Sequence, residues 1–586
     1  MVREAERTAA GGMPDTAGMN FYEADPNLGP ALRRLAAPEE FQRAVPLLRE
    51  VGEAAGGELD RLARVADANP PVLERYDARG QRVDEVVFHP AYEAMARMAF
   101  ERFGFAAMSH RPGVRGWPGR VPHLVKYALS YVFVQAEFGL FCPVSMTDSA
   151  ARVLRLFGDE ALQARYVPRL TATRYEDLYT GAMFMTERQG GSDVGAATTT
   201  ARRAGDVWTL HGEKWFCSNV SADVILTLAR PEGAPDGTRG LGLFLVPKHL
   251  PDGSRNRYRI ERLKNKLGTR DMATGEVVLD GAVAWVVGDL ERGFRQMAEM
   301  VNVSRLSNAM RAAAIMRRSL LESVVHARGR VAFGRRLFDL PLMRETLLPL
   351  LLDTEACTAL VLHAAATLDR ADAGSERDRR LIRILTPLAK LYVTKRARFV
   401  AGEAMEVRGG NGYVEEWVNP RLLRDAYLGS IWEGSSNVVA LDVARAMQRE
   451  GAGDTLLDDL ASRLAGLRDA DVRRVAERAA DVLARTRARC AEVLALDAAG
   501  REPLMGRLAE RLALLTMATL LLEEADDHAA AGLGYRKLLA ATAYLRRMLL
   551  APDPLADDGV AVRWLDELVD GGPVPAEAAH RALSGV

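Results

Sequence analysis

The sequence predicts a mainly α-helical protein with a central β domain. Apolar residues recur every three or four positions up to about residue 180, alternate with period two from there to about residue 290, and then return to the helical period. The second helical stretch has long apolar runs that suit a four-helix bundle, and a helical C-terminal extension follows it. The 586 residues are enough for about three or four domains.

The predicted boundaries follow these changes of period. They are an N-terminal extension at 1–28, an N-terminal helical domain at 29–180, a central β domain at 181–290, a four-helix bundle at 291–450 and a helical extension at 455–586. The clearest predicted helices are 91–103, 123–138, 304–327 and 347–368. The predicted strands are 207–216, 224–229, 241–246, 257–263 and 276–287. A hinge is expected at 451–454, and a Pro- and Asp-rich break at 551–559.

The net charge and the apolar segments of the chain bear on which partners we expect it to bind. The formal net charge is zero, which gives no overall field that favours nucleic acid or a membrane surface. We therefore expect any DNA binding to depend on a local patch. The first twelve residues have no apolar segment typical of a signal or an anchor, and no uninterrupted apolar run is long enough to span a bilayer.

The cysteines and histidines show no pattern of metal ligation. Cys142, Cys217, Cys357 and Cys490 lie far apart, without the paired spacing of a zinc or dithiol centre, and the nine histidines are scattered. This usage favours a reducing, cytoplasmic setting without a metal site.

Two glycine-rich segments are candidates for ligand binding. In the segment 183–193, adjacent glycines permit a close backbone approach, while Thr186 and Ser192 offer hydroxyls to a polar, phosphate-bearing ligand. A plain turn between strands explains the same residues. The segment Gly409-Gly410-Asn411-Gly412 is equally compatible with a left-handed turn that ends a helix.

Glu433 is the candidate for acid–base chemistry. It is a single carboxylate within Ile431-Trp432-Glu433-Gly434, and burial of an unpaired carboxylate raises its pKa, which suits a proton acceptor. A helix cap or an ion pair would also explain it, and these residues alone leave both interpretations open.

Five motifs follow one another in a characteristic order. They are Thr186-Glu187-Arg188-Gln189-Gly190-Gly191-Ser192-Asp193, Lys214-Trp215-Phe216-Cys217-Ser218-Asn219, Arg330-Val331-Ala332-Phe333-Gly334, Gly409-Gly410-Asn411-Gly412 and Trp432-Glu433-Gly434-Ser435. In this order the chain resembles the acyl-CoA dehydrogenase family. The form of the first motif, the segments 84–90 and 142–147, and the helical tail resemble its AidB-like branch, flavoproteins associated with the adaptive response to DNA alkylation. The resemblance implies the acyl-CoA dehydrogenase fold and an FAD cofactor.

The resemblance also assigns roles to residues of the β domain. Thr186 would contact the flavin ring edge, Ser192 the pyrophosphate, and the main chain from Met183 onward would line the isoalloxazine. Phe216 stands where many members have a Trp against the flavin, and Ser218 stands where a Thr hydroxyl commonly faces the flavin N5. Gly191 and Cys217 complete this group of implied cofactor contacts.

The resemblance also implies roles for residues of the predicted four-helix bundle. Arg330 and Phe333 match a signature that reaches the FAD of a neighbouring subunit, which implies a homotetramer built as a dimer of dimers. The loop Gly409 to Gly412 would border the adenosine, where Glu406 replaces a usual Gln. The remaining implied cofactor contacts are Gly409, Gly410, Gly412, Ile431, Trp432, Gly434, Ser435 and Asn437.

Glu433 aligns with the catalytic base of the family. In that chemistry the carboxylate removes a proton from the carbon next to the thioester of an acyl-CoA, while hydride leaves the β-carbon for the flavin. Ile431 and Trp432 would help to exclude water, and Gly434 would let the backbone approach the ligand.

The helical tail supports an alternative function. Arg474, Arg478, Arg485 and Arg489 fall within about 60° of one another on a helix, which predicts a cationic stripe for DNA. The protein would then be an AidB-like, DNA-associated flavoprotein of the alkylation-damage response with little or no dehydrogenase turnover. Asp481 and Glu492 lie on the same face, and acidic residues outnumber basic ones in the tail, so a solvated helix is also expected. The very apolar segment 512–522 suggests a third role, packing on the bundle or at a subunit interface.

Overall fold

The computed structural model describes residues 13–550 and 559–583. The helices, in chain order, are α1 Leu28–Leu35, α2 Pro38–Gly56, α3 Glu58–Ala68, α4 Pro90–Arg97, α5 His123–Val134, α6 Phe141–Phe157, α7 Glu160–Leu170, α8 Gly293–Gly329, α9 Pro341–Asp372, α10 Glu376–Val407, α11 Val418–Gly429, α12 Ser436–Glu450, α13 Ala452–Ala465, α14 Ala470–Ala495, α15 Ala498–Ala530, α16 Arg536–Leu545, α17 Val560–Arg563, α18 Leu565–Asp570 and α19 Ala576–Leu583. The strands are β1 Val72–Tyr76, β2 Arg82–Val87, β3 Gly181–Phe184, β4 Thr200–Ala204, β5 Val207–Ser218, β6 Val224–Pro231, β7 Gly242–Pro247, β8 Tyr258–Leu263, β9 Thr274–Val286, β10 Val331–Ala332 and β11 Arg335–Arg336.

The chain divides into two compact units. The bundle unit comprises the described residues of Met1–Gly57, His123–Gln135 and Asn308–Val586. The barrel unit comprises Glu58–Pro122 and Ala136–Ser307.

The β strands of the barrel unit close into a ring. Strand β6 pairs with β4 and β7, β4 pairs with β5, and β9 joins β5 to β7. Strand β3 lies beside β6 and pairs with it in parallel, and β8 pairs with β9. Strands β6 and β7 are buried almost throughout, as expected for strands that read as continuous apolar runs.

All five predicted strands are present in the structure as β5 to β9. Two further strands of the barrel, β3 and β4, were not predicted. Strand β3 has only four residues, and three consecutive residues of β4, including Arg202 and Arg203, are exposed, so neither strand shows an apolar alternation.

A β-hairpin interrupts the region that was predicted to be helical from residue 29 to residue 179. Strands β1 and β2 pair antiparallel within it. The hairpin lies against the edge of β8, where the Asp84 carboxylate accepts the N–H of Ile260 at 3.0 Å and the Arg82 guanidinium donates to the Ile260 carbonyl at 3.0 Å. These side chains take the place of a neighbouring strand, because an uncovered strand edge leaves backbone groups unpaired.

Helix α9 forms the centre of the bundle unit. Within the described residues it is the one helix that is long and apolar enough to cross a membrane, and 94% of its most apolar window is buried inside the protein. It packs against α5, α10 and α15. Its apolar character therefore has a sufficient explanation in the core of the bundle.

The helical extension packs onto this bundle. The apolar segment 512–522 of α15 is buried against α9, α10 and α12, which confirms a packing role for it. Ion pairs from Arg328 to Asp570, at 2.7 Å, and from Arg344 to Asp566, at 2.8 Å, hold α18 to α8 and α9.

The junction before the extension is shorter than the hinge predicted at 451–454. Gly451 alone separates α12 from α13, with a φ of +62° that favours glycine. The break predicted at 551–559 lies outside the described residues except for Gly559.

Candidate active site

Thr186 and Gly191 lie close together at the end of strand β3. The carbonyl of Thr186 accepts the N–H of Trp215 at 2.8 Å, which joins the end of β3 to β5. A Cβ at Gly191 would lie 2.6 Å from the Thr186 hydroxyl oxygen, so the backbone of Gly191 approaches this threonine as only glycine can. Ser192, the next residue, is exposed.

The end of strand β5 presents alternating side chains. Phe216 is 54% exposed and Ser218 is half-buried, while Cys217 points into the core of the barrel. Burial raises the pKa of the Cys217 thiol well above its usual range. Of the three residues, Cys217 can therefore meet a ligand only through its main chain. Met183 on β3 is half-buried.

Glu433 lies in the loop between α11 and α12. Its side chain is half-buried, and Ile431, two residues earlier, is 63% exposed. The φ of Glu433 is +58°, in the left-handed region that costs a non-glycine residue about 1–2 kcal/mol. Such strain persists only where the surroundings enforce it, and it is concentrated at functional sites.

Buried polar side chains beneath the loop enforce this conformation. The Asn308 side-chain oxygen accepts the indole N–H of Trp432 at 2.9 Å, and its amide N–H donates to the Gly429 carbonyl at 2.7 Å. The ammonium of Lys390 donates to the Gly434 carbonyl. The Arg311 guanidinium lies 4.6 Å from the centre of the Trp432 ring.

Sequence reasoning missed these supporting residues. Asn308, Arg311 and Lys390 are fully buried, and they lie on long helices where no local motif distinguishes them from neighbouring residues. The buried ion pair of Glu187 and Lys214 was missed as well. Both residues belong to motifs of the sequence, but nothing in those motifs indicates that the two side chains are in contact.

The glycines at 409–412 form a tight turn after α10. Gly409 has a φ of +66° and Gly410 is exposed, and a Cβ at either would meet nothing within 4 Å among the described residues. A Cβ at Gly412 would lie 2.1 Å from the Met405 carbonyl oxygen. Glu406 is exposed on the last turn of α10. The turn therefore has an open side at Gly409 and Gly410 and a closed side at Gly412.

Arg330 and Phe333 lie on the hairpin formed by β10 and β11. Phe333 is 92% exposed and occupies the two-residue loop with Gly334. The φ values are +52° for Phe333 and +74° for Gly334, as in hairpin turns of the primed type. The Phe333 ring therefore contributes little to the core of its own chain. Ser435 and Asn437, at the start of α12, are exposed as well.

The arginine stripe of the extension is exposed on α14. Its members are Arg474, Arg478, Arg485 and Arg489. Asp481 and Glu492 are exposed on the same face, and Glu492 pairs with Arg489. Within residues 13–550 and 559–583, no group of His, Cys, Asp and Glu could hold a metal ion.

Comparison with known families gives three consecutive matches. Residues 12–177 match the adaptive response protein AidB N-terminal domain, residues 182–282 the acyl-CoA dehydrogenase middle domain, and residues 291–448 the acyl-CoA dehydrogenase C-terminal domain.

Two curated relatives match most of the chain. Putative acyl-CoA dehydrogenase AidB of Escherichia coli (strain K12) is 37% identical over 451 residues, which cover 75% of this chain and 80% of that protein. Acyl-CoA dehydrogenase family member 11 of Caenorhabditis elegans is 36% identical over 437 residues, which cover 73% of this chain and 70% of that protein.

Solved structures agree with this relationship. Caenorhabditis elegans ACDH-11 in complex with C11-CoA superposes with a TM-score of 0.85 at 31% identity and covers 94% of each chain. The apo-form of Bd2924 gives a TM-score of 0.79 at 32% identity and covers 88% of this chain and 99% of that one. The chain therefore belongs to the acyl-CoA dehydrogenase family, in its AidB-like branch, and is an FAD-dependent oxidoreductase.

Proposed function

We propose that the protein dehydrogenates an acyl-CoA thioester between its α- and β-carbons, with Glu433 as the base. The observation that carries this proposal is the support of the Glu433 loop. Its backbone is held in a strained left-handed conformation by Asn308 and Lys390, which are both fully buried. A carboxylate that only solubilised the surface would not need this support.

The chemistry requires a carboxylate of fixed orientation. The proton next to a thioester is weakly acidic, so the base must already be placed when the substrate arrives. Because Trp432 is anchored through its indole N–H, the backbone of the adjacent Glu433 has little freedom to move. We propose that Trp432, which is half-buried, and Ile431, which is 63% exposed, help to exclude water from the carboxylate.

The residues present fit FAD. The open backbone at Gly409 and Gly410 can approach a nucleotide, Thr186 and Ser192 offer hydroxyls, and Phe216 offers an exposed aromatic face. We propose that these residues hold the cofactor. FAD, when bound, supplies the acceptor for the hydride that leaves the β-carbon.

A CoA thioester is the substrate class that the relatives support. The C. elegans structure contains C11-CoA, and its chain superposes on nearly the whole length of this one. We propose that this protein takes an acyl-CoA as well.

Anaerobic titration with acyl-CoA thioesters tests the proposal. We expect the flavin absorbance at about 450 nm to bleach in the wild-type protein and to persist in Glu433→Gln, which retains the flavin but lacks the base. Glu416→Gln, at an exposed carboxylate before α11, is the matched control and should bleach like the wild type. Bleaching of Glu433→Gln at the wild-type rate would remove Glu433 from its role.

We also propose that the protein is a homotetramer in the cytoplasm. The support is the match of Arg330 and Phe333 to the family signature that reaches the FAD of a neighbouring subunit, together with the 92% exposure of Phe333, which leaves the ring accessible to such a contact. The four cysteines are free and buried, which supports a reducing compartment.

DNA association is the second candidate function. It is favoured by one observation, the exposure of all four arginines of the stripe on α14. The acidic residues on the same face weaken it, because DNA binding depends on net positive charge.

A further inference from the structure

Glu187 and Lys214 form a buried ion pair in the barrel unit. The ammonium of Lys214 lies 2.8 Å from the Glu187 carboxylate, and the side chains are 0% and 2% exposed, respectively. The same ammonium donates to the Leu228 carbonyl at 2.9 Å. Charges this deeply buried require partners, and these two satisfy each other.

The Glu187 carboxylate also joins the two ends of one loop. One oxygen accepts the N–H of Thr198 at 2.7 Å and its hydroxyl at 2.9 Å. The other oxygen, which pairs with Lys214, accepts the N–H of Thr199 at 3.2 Å and its hydroxyl at 2.6 Å. Glu187 and these threonines bracket the loop 188–197, so one carboxylate closes the base of the loop.

Polar contacts order this loop. Besides the bonds to Glu187, Arg188 pairs with Glu213 at 2.8 Å, and Arg230 donates to the Gly195 carbonyl at 2.7 Å. Residues 188–193, including Gly190, Gly191 and Ser192, are exposed and so contribute little to the apolar core. The N–H of Gly190 donates to the Glu187 carbonyl at 3.0 Å, and Gln189 donates to the Glu187 carboxylate at 2.8 Å. An exposed glycine-rich loop loses much conformational entropy when it is ordered, so the polar bonds to Glu187, which join its two ends, contribute to holding its shape.

The carboxylate of Glu187 is charged at neutral pH. Burial by itself would raise the pKa of Glu187, but Lys214 and the hydrogen bonds from Thr199 and Thr198 more than offset it and lower the pKa to about 2. Burial lowers the pKa of Lys214, and Glu187 opposes that effect. The carboxylate therefore remains an acceptor for the loop under working conditions.

We propose that Glu187 and Lys214 are positioning residues for FAD, and that they fix the loop 188–197 in the shape that presents Gly191 and Ser192 to the pyrophosphate. The assignment of Ser192 to the pyrophosphate belongs to the proposed function, and this inference rests on it. Lys214 does not meet the phosphate itself, because it is buried and donates to Glu187 and Leu228.

Binding of FAD to the apoprotein tests the role without any substrate. Thr199→Val removes one hydroxyl donor and leaves the ion pair intact, and Glu187→Gln removes the charge that closes the loop. We expect FAD to bind a few-fold more weakly to Thr199→Val and about tenfold or more weakly to Glu187→Gln. Trypsin should also cleave after Arg188 faster in both variants, because the loop opens more often.

The matched control is Thr227→Val. Thr227 is a buried threonine of the same barrel, and its hydroxyl donates to the Phe184 carbonyl at 2.6 Å, outside the loop. It should bind FAD like the wild type and resist cleavage after Arg188.

Unchanged FAD affinity and unchanged cleavage in folded Thr199→Val and Glu187→Gln would overturn the inference. If Glu187→Gln does not fold, Thr199→Val decides alone, since it leaves no buried charge unpaired. Wild-type protein that binds FAD but is not bleached by any thioester would refute the proposed dehydrogenation, while the proposed binding of FAD, on which this inference rests, would stand.

Discussion

The indole N–H of Trp432 donates to the side-chain oxygen of Asn308 at 2.9 Å, and this bond fixes the residue next to Glu433. Asn308 lies on α8 and is fully buried. With its other amide atom it binds the carbonyl of Gly429, so one side chain holds both the start and the middle of the loop. A buried amide with both functions satisfied leaves the loop little freedom to rearrange.

Asn308→Ala should therefore impair the base without removing the flavin. The variant leaves the Trp432 N–H and the Gly429 carbonyl without their partner, at a cost of about 1–3 kcal/mol for each buried group. We expect the rate of bleaching by an acyl-CoA to fall about tenfold or more at unchanged FAD content. Trp432→Phe keeps the bond from Asn308 to Gly429, so its rate of bleaching should fall less. A wild-type rate in Asn308→Ala would show that Asn308 does not position the Glu433 loop.

The sequence predicted those elements whose signal is local. Strands β5 to β9 follow from alternation and apolar runs, and α9 from its long apolar run. The hairpin of β1 and β2 was missed, because its residues are stabilised by the edge of β8 and not by their own pattern. The identity of Glu433 could be read from its motif, but its left-handed backbone could not.

The residues that support the candidate site could not be predicted from the sequence. Asn308 and Lys390 contact the loop from positions more than forty residues away along the chain, on helices whose sequences are ordinary. Glu187 and Lys214 stand in motifs that were recognised, yet only the register of the barrel brings them together. Such contacts depend on tertiary structure, which periodicity does not encode.

Arg330→Ala and Phe333→Gly should lower FAD occupancy if the hairpin reaches a neighbouring subunit. Phe333→Gly also removes the strain of a φ of +52°, so we expect no loss of thermal stability from that change. The ratio of FAD to protein and the mass in solution, measured by light scattering, check this prediction. Arg335→Ala on the same hairpin is the control, and full occupancy in Arg330→Ala would exclude the contact.

The stability of the protein should decline on acidification through His326. This histidine of α8 is buried, and burial, together with the charges of Arg408 and Arg330, lowers its pKa to about 4, although Glu322 opposes the shift. Because the unfolded chain binds the proton near pH 6.5, stability is lost as the pH falls from about 6.5 to about 4, by up to about 1.4 kcal/mol per pH unit.

His326→Gln should flatten this dependence. The measurement is the midpoint temperature of unfolding between pH 7 and pH 4.5, with His211→Gln in the barrel unit as the control for loss of a histidine. An identical slope in His326→Gln and the wild type would assign the acid sensitivity to other groups.

Reversal of Arg478 and Arg485 to glutamate should leave retention on a DNA column unchanged. Both arginines are exposed, but Asp481 and Glu492 share their face and reduce the local positive charge. Retention is measured over a range of salt concentrations, and the wild type is compared with the double variant. A clear loss of retention with a flatter salt dependence would instead establish the DNA-associated function.

Gly410→Ala and Gly412→Ala should separate ligand contact from folding at the turn after α10. A Cβ at Gly410 meets nothing within 4 Å among the described residues, whereas a Cβ at Gly412 would lie 2.1 Å from the Met405 carbonyl oxygen. We expect Gly412→Ala to lower the unfolding temperature, because backbone atoms must move to admit the methyl group.

Gly410→Ala should keep the unfolding temperature of the wild type and bind FAD more weakly, since the added methyl group occupies space on the open side of the turn. Differential scanning calorimetry of the apoprotein and FAD titration, applied to both variants, measure the two effects independently. If Gly410→Ala binds FAD as tightly as the wild type, the adenosine does not lie against this glycine, and the exposed Glu406 nearby loses its proposed neighbour as well.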